Sequence, residues 1–142
     1  MKFEDLILAS IYGNAQKNPE GNSFCIDDCF FSYCDLVSCV NRIRYAIKDS
    51  NEVYYGLVTN NDLETYASII ALWSEGKCYV PLHPAQPIER CLSIVKQVDI
   101  KNIIDTSAET RYGTYHVINP KGIDNPKEYT ADLKEYPEET AI

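Results

Sequence analysis

The chain has 142 residues, 45% of them hydrophobic and 11% aromatic, which is enough for one domain with a packed core and too apolar for a disordered segment. Its net charge of −8 repels polyanions, so DNA and RNA are disfavoured as partners. No apolar stretch is long enough to span a bilayer, and the acidic start Met1-Lys2-Phe3-Glu4-Asp5-Leu6 lacks the regions of a signal peptide, so a cytoplasmic protein without a membrane partner is expected.

Apolar residues at Phe3, Leu6, Ile7, Ile11 and Ala15 follow helical spacing, and Asn18-Pro19 stops that helix. Ser23 to Ile26 and Cys29 to Phe31 are short apolar runs around Asp27-Asp28, the pattern of a β-hairpin with a tight acidic turn. Ser32, with Asp35 three residues on, reads as an approximate capping box. The helix that follows puts Leu36, Val40, Ile43 and Ile47 on one face and turns Arg42 and Lys48 away. Val53 to Val58 is a buried strand leading through Thr59-Asn60-Asn61-Asp62 into a very apolar helix, Leu63 to Trp73, which Gly76 ends.

Cys78 to Val80 reads as a short strand. Pro81, Pro84 and Pro87 then fix an extended loop, with Pro87 in the first turn of a helix whose inner face is Ile88, Cys91, Leu92 and Val95. Asn102 to Asp105 and Tyr115 to Ile118 are further strands. From residue 53 the order strand, helix, strand, helix, strand, strand predicts an α/β fold: a mainly parallel sheet flanked by helices, to which the hairpin and its helix are an N-terminal addition. Residues 1–118 form this lobe. Residues 119–142, with three prolines and, from Asp124, six acids against two lysines, show no firm element and read as an extended acidic linker.

The residues carry no complete site. The six glycines are too scattered to crowd backbone N–H groups onto a phosphate, and Thr106-Ser107 is followed by Glu109 as well as Arg111. His116, in an apolar strand, reads as a packed side chain, and no nucleophile is marked as its partner. His83 follows a strand carboxyl end, where open sheets place ligands, yet a surface or hinge role is the plainer reading. Arg90 reads as a local ion pair or a tie between subdomains. Cys25, Cys29, Cys34, Cys39, Cys78 and Cys91 lack the C-x-x-C spacing of structural zinc and read mostly as buried free thiols. No catalytic, cofactor-binding, substrate-binding or metal residue is assigned.

The segment Leu72-Trp73-Ser74-Glu75-Gly76-Lys77-Cys78-Tyr79-Val80-Pro81-Leu82-His83-Pro84-Ala85-Gln86-Pro87-Ile88-Glu89-Arg90 resembles an early core motif of the acyl-adenylate-forming enzymes. That family comprises acyl-CoA synthetases, peptide-synthetase adenylation domains and D-alanine–carrier-protein ligases. Its motif reads L-x-A-G-x-x-Y-V-P, then L or I, D or N, P-x-x-P-x-x-R, then L or I. Gly76, Tyr79, Val80, Pro81, Pro84, Pro87 and Arg90 match it, whereas Glu75, His83 and Cys91 depart from it. Upstream, Phe31 to Leu36 and then Asn41-Arg42 are similar to the family's F-T-Y-x-E-L and N-R. Downstream, Val98 to Ile104 is similar to its next strand. The block is most like that of amino-acid-activating members.

The resemblance implies the N-terminal lobe of an enzyme that joins a carboxylic acid to AMP and passes the acyl group to a thiol. ATP and magnesium are its expected cofactors, held by later residues, so that none is expected on residues 1–142. The expected partners are the remainder of the same polypeptide and a carrier-protein pantetheine or coenzyme A. Tyr136 to Ile142 looks like the lead-in to the family's phosphate loop, so the 142 residues alone are expected to be inactive. A lobe taken from a larger domain is also expected to self-associate, with the Leu63–Trp73 helix and the short strands, whose sheet edge leaves unpaired N–H and C=O groups, as the sources. A stand-alone α/β binding module and a cysteine-based metal or redox module are the competing readings.

Overall fold

The computed structural model describes residues 3–123. It opens with helix α1 (Phe3–Lys17) and a hairpin of β1 (Asn22–Ile26) and β2 (Cys29–Ser32). Asp27 and Asp28 both take positive φ, 50° and 65°, the conformation a two-residue hairpin loop requires to match strand twist. The chain then passes without a linker into α2 (Tyr33–Ile47). There the capping box is complete: Ser32 Oγ accepts from Asp35 N at 3.0 Å, and Asp35 Oδ2 accepts from Ser32 N at 3.1 Å.

Next come β3 (Tyr54–Val58), α3 (Leu63–Ser74), β4 (Cys78–Leu82), α4 (Ile88–Val98), β5 (Asn102–Ile104) and β6 (His116–Ile118). The four strands pair in the order β4-β3-β5-β6, all parallel. The α/β expectation therefore holds. A parallel sheet needs cover on both faces. Leu57, Tyr55 and Ile104 meet Leu72 of α3 and Ile47 of α2 on one face. Val58, Leu82 and Ile103 meet Cys91 and Val95 of α4 on the other. A third cluster joins Leu8 and Tyr12 of α1, Ile26 of the hairpin, and the outer faces of α2 and α3. Helix α3 thus lies between two cores, and Ala67, Ala71 and Leu72 are fully buried. A helix so apolar is covered on much of its surface, as its composition predicts, and it is therefore not a source of bare surface for self-association. The exposed large apolar side chains are Phe30, Tyr45, Val53 and Tyr54.

Gly56 sits mid-strand on β3 because its neighbours come so close. A Cβ there would stand 3.0 Å from Leu82 Cδ1 and 3.2 Å from Ile103 Cγ1. Pro81 lies within β4 rather than in the loop after it. The edge position permits this. Cys78 N donates to Val53 O and Leu82 O accepts from Thr59 N, so alternation turns the Pro81 nitrogen to the open side, where no donor is needed. Pro87 stands just before α4 as its N-cap, and Asp99 closes that helix in the left-handed region at φ 61°.

Four further expectations are corrected. Cys25, Cys29, Cys34 and Cys78 are exposed; only Cys39 and Cys91 are buried, and all six thiols are free. Cys25 alternates with the inward Phe24 and Ile26 of β1, and Cys34 is in the first turn of α2, so neither reaches the core. His116 is exposed on the edge strand β6, and its Nδ1 lies 2.7 Å from Asn102 Oδ1. Arg90 is exposed and has no ion pair among the described residues, so of its two readings it is the local ion pair that is corrected. Pro120–Gly122 is a 3-10 turn where the sequence shows no firm element. The stretch from Tyr136 to Ile142 lies outside the described residues. No helix among the described residues is long and apolar enough to cross a membrane.

Candidate functional site

The carboxyl ends of β3 and β5 lie side by side where the chain order of the sheet reverses, with the β3–β4 crossover through α3 on one face and the β4–β5 crossover through α4 on the other, the place where open α/β sheets bind ligands. The sequence after β3, Thr59-Asn60-Asn61-Asp62, and after β5, Asp105-Thr106-Ser107, puts short polar side chains there. Asn60 Nδ2 reaches Thr106 Oγ1 at 3.0 Å, Ser107 Oγ at 3.2 Å and Asp105 Oδ1 at 3.4 Å. Asp62, the N-cap of α3, accepts at Oδ1 from Thr65 N at 2.8 Å and from Thr65 Oγ1 at 2.6 Å. Its Oδ2 accepts from Thr106 Oγ1 at 2.6 Å and faces Lys121 Nζ at 3.4 Å. Asp105, only 2% exposed, accepts from Ser107 N at 2.9 Å, and its own N–H donates to Ile118 O.

Burial by itself raises the Asp62 carboxyl. The hydrogen bonds from Thr106 and Thr65 and the charge of Lys121 outweigh it and hold the group below its ordinary value. The carboxylate at the amino end of α3 also complements the helix dipole. Every polar atom named here is engaged by another. Thr106 gives its proton to Asp62 and takes one from Asn60, so it has none to offer a phosphate. Any anion would face Asp62 and Asp105. The arrangement ties β3, β5, β6 and the 3-10 turn to the start of α3, and it does not fit the phosphates of ATP.

The residues weighed from sequence stand apart from this network, Thr106 and Ser107 excepted. His83, in the loop after β4, is exposed and accepts at Nδ1 from Ala85 N at 3.0 Å, which shapes its own turn. Burial pushes the Cys39 thiol up to about 11, so it is no nucleophile at neutral pH. Tyr112 is buried with no hydrogen-bond partner for its hydroxyl, and burial, with Cys91 beside it, pushes its titration up. No group of three or more His, Cys, Asp or Glu side chains that could hold a metal occurs among the described residues.

Two features escaped sequence reasoning. Arg44, 3% exposed on α2, pairs with Glu75 at the end of α3, Nε to Oε2 at 2.7 Å, and its NH1 lies 3.3 Å from the Tyr12 hydroxyl. Glu75 therefore departs from the family's alanine together with a buried cation to match it. A cavity of about 490 Å³ also opens along the free edge of β4, lined by Asp5, Trp73, Tyr79 and Pro81 among others. The Trp in the motif was the one available signal for it.

No protein-family model matches the chain. A ferrichrome siderophore peptide synthetase of Mycosarcoma maydis is 34% identical over 68 residues, 47% of this chain and 2% of that protein. Bacitracin synthase 1 of Bacillus licheniformis is 28% identical over 89 residues, 61% of this chain and 2% of that protein. The chain thus spans about 2% of the length of these relatives. Among solved structures, the nonribosomal peptide synthetase FmoA3 bound to α-methyl-L-serine-AMP aligns with TM-score 0.71 at 16% identity, over 89% of this chain and 15% of that one. An artificially fused adenylation–carrier-protein di-domain from Klebsiella oxytoca aligns with TM-score 0.71 at 14% identity, over 92% of this chain and 25% of that one. The resemblance to the N-terminal part of acyl-adenylate-forming enzymes, and to amino-acid adenylation domains among them, therefore holds in both sequence and fold.

Proposed function

We propose that residues 1–118 are the N-terminal lobe, and residues 119–142 the linker onward, of an ATP-dependent ligase that activates an amino acid. In that reaction a carboxylate oxygen attacks the α-phosphorus of ATP and pyrophosphate leaves. A thiol then displaces AMP from the acyl carbon and gives up its proton. The thiol is a carrier-protein pantetheine or coenzyme A, and a structural neighbour that is a peptide-synthetase protein containing adenylation and carrier domains, aligned with TM-score 0.71 at 16% identity, favours the first. The observation that carries the reading is the colinear match of the motif blocks with peptide synthetases, on a chain folded like their adenylation domains. The lobe's own part is to brace one wall of the site; ATP and magnesium fall to residues beyond it.

The test is amino-acid-dependent ATP–pyrophosphate exchange. The 142 residues alone give none. Residues 1–118 grafted in place of the matching lobe of a related adenylation domain support it. Exchange by the isolated chain overturns the division of labour. A graft that melts cooperatively yet gives no exchange overturns the assignment in favour of a stand-alone binding module.

The isolated lobe self-associates in this reading, through Phe30, Tyr54 and the open edges of β4 and β6 rather than through α3. The charge of −8 opposes association, so salt strengthens it. Sedimentation showing a clean monomer at both low and high salt removes this part of the proposal.

A further inference from the structure

The cavity beside β4 is assembled from three elements. Tyr79 and Pro81, two residues apart and so on one face of the strand, form its floor; Trp73 closes it from the last turn of α3; Asp5 enters from α1. Its volume, about 490 Å³, is that of a small-molecule site. The Trp73 and Tyr79 rings, both in the lining, stand 6.4 Å apart and tilted by 47°, so they are not stacked face to face. Lys77 also lines the cavity, and its ammonium is already engaged, donating to Ser50 O at 2.8 Å and Glu52 O at 2.7 Å and lying 5.6 Å from the centre of the Tyr55 ring. Asp5 has no ion-pair partner among the described residues. The wall therefore presents two aromatic rings and a carboxylate that has no ion pair among the described residues, on a chain of net charge −8.

We propose that this cavity binds an organic cation, an alkylammonium or guanidinium group. Ring quadrupoles attract such a group more than they attract a strongly hydrated metal ion, and the carboxylate supplies the counter-charge. A neutral apolar guest gains nothing from Asp5, and an anion is repelled by it. The cation is borne either by a small molecule or by an arginine or lysine side chain of another polypeptide segment. The site is separate from the carboxyl-edge network and does not depend on the ligase reading.

Trp73 is the sole tryptophan of the chain, so intrinsic fluorescence reports on the cavity directly. The probes are tetramethylammonium, methylguanidinium, a blocked Gly-Arg-Gly peptide, and tert-butanol as a neutral guest of similar bulk, all at constant ionic strength. The expected result is saturable quenching by the cations and none by tert-butanol. Asp5→Asn weakens binding ~5-fold, the size of one exposed charge contact, and Tyr79→Phe preserves it while Tyr79→Leu loses it. Tighter binding of the peptide than of methylguanidinium identifies a protein side chain as the guest, and the reverse identifies a small molecule. A response that is linear in concentration, equal for tert-butanol, or unchanged in a folded Asp5→Asn variant overturns the proposal.

Discussion

The two ends of helix α3 are held in opposite ways. At its amino end a carboxylate, Asp62, is surrounded by neutral donors from Thr65 and Thr106 and touched by a half-exposed lysine. At its carboxyl end Glu75 meets a buried guanidinium from α2. The first arrangement goes with the helix dipole. The second sets a carboxylate against it and relies on Arg44 to reverse the balance. One end is thus secured by many small hydrogen bonds that fail one at a time, the other by a buried ion pair with the Tyr12 hydroxyl bonded to both Arg44 and Ser74 beside it.

The comparison breaks most sharply at Glu75. Glu75→Ala restores the alanine usual in the resembled motif but strands Arg44, and should destabilise the lobe by about 3 kcal/mol in urea unfolding. Arg44→Met added to Glu75→Ala should recover most of that loss, because the pair is then replaced by apolar contact. If the single and double variants unfold alike, the ion pair is not what holds this end.

At the other end, Asp62→Ala should cost roughly 2 kcal/mol, about half from the lost helix cap and half from the orphaned Thr106 hydroxyl. Asp62→Asn should cost less, since its side-chain oxygen still caps. The pH dependence sharpens the contrast. The Asp62 carboxyl is held low in the folded state, so its contribution is present above the unfolded value, about 4, and is lost as pH falls through the folded one. The stability gap between the native chain and Asp62→Asn should therefore close in acid. A gap that stays constant down to pH ~2 would show that charge at Asp62 does not contribute.

The smallest effect belongs to the proline loop. Pro84→Ala should lower stability by ~0.5 kcal/mol through a freer unfolded chain. In an active ligase it should leave amino-acid KM nearly unchanged, and a large KM rise with an unmoved Tm would count against a structural role.

Elements whose signals are local were legible in the sequence. Ser32 and Asp35, the Asp27-Asp28 turn and the Asp62 cap each act within a few residues, and the alternation of strands and helices fixed the parallel sheet. What depended on distant partners was not legible. Arg44 follows buried Val40 at helical spacing, yet nothing near it names Glu75. The cysteines were misjudged because their chemistry was weighed above their phase: alternation along β1 already turns Cys25 outward. Pro81 was read as a strand end because a sequence does not say which strand will be an edge. At the carboxyl edge, Asn60 was visible as a polar residue after a strand and Asp105 was read as the last residue of one, but their mutual satisfaction, which decides against a phosphate site, exists only once β3 and β5 are side by side.

The strand order has a consequence for biosynthesis. Strand β3 is flanked by β4 and β5, both of which follow it in the chain. On the ribosome, at ~5–20 residues per second, β3 waits with both edges open until β4 emerges and with one edge still open until β5 does, several seconds in all. Helices α1 and α2 precede it, so one face can be shielded while the edges are not. The interval between the emergence of β3 and of β5 is when a nascent lobe is most exposed to pairing with the wrong chain.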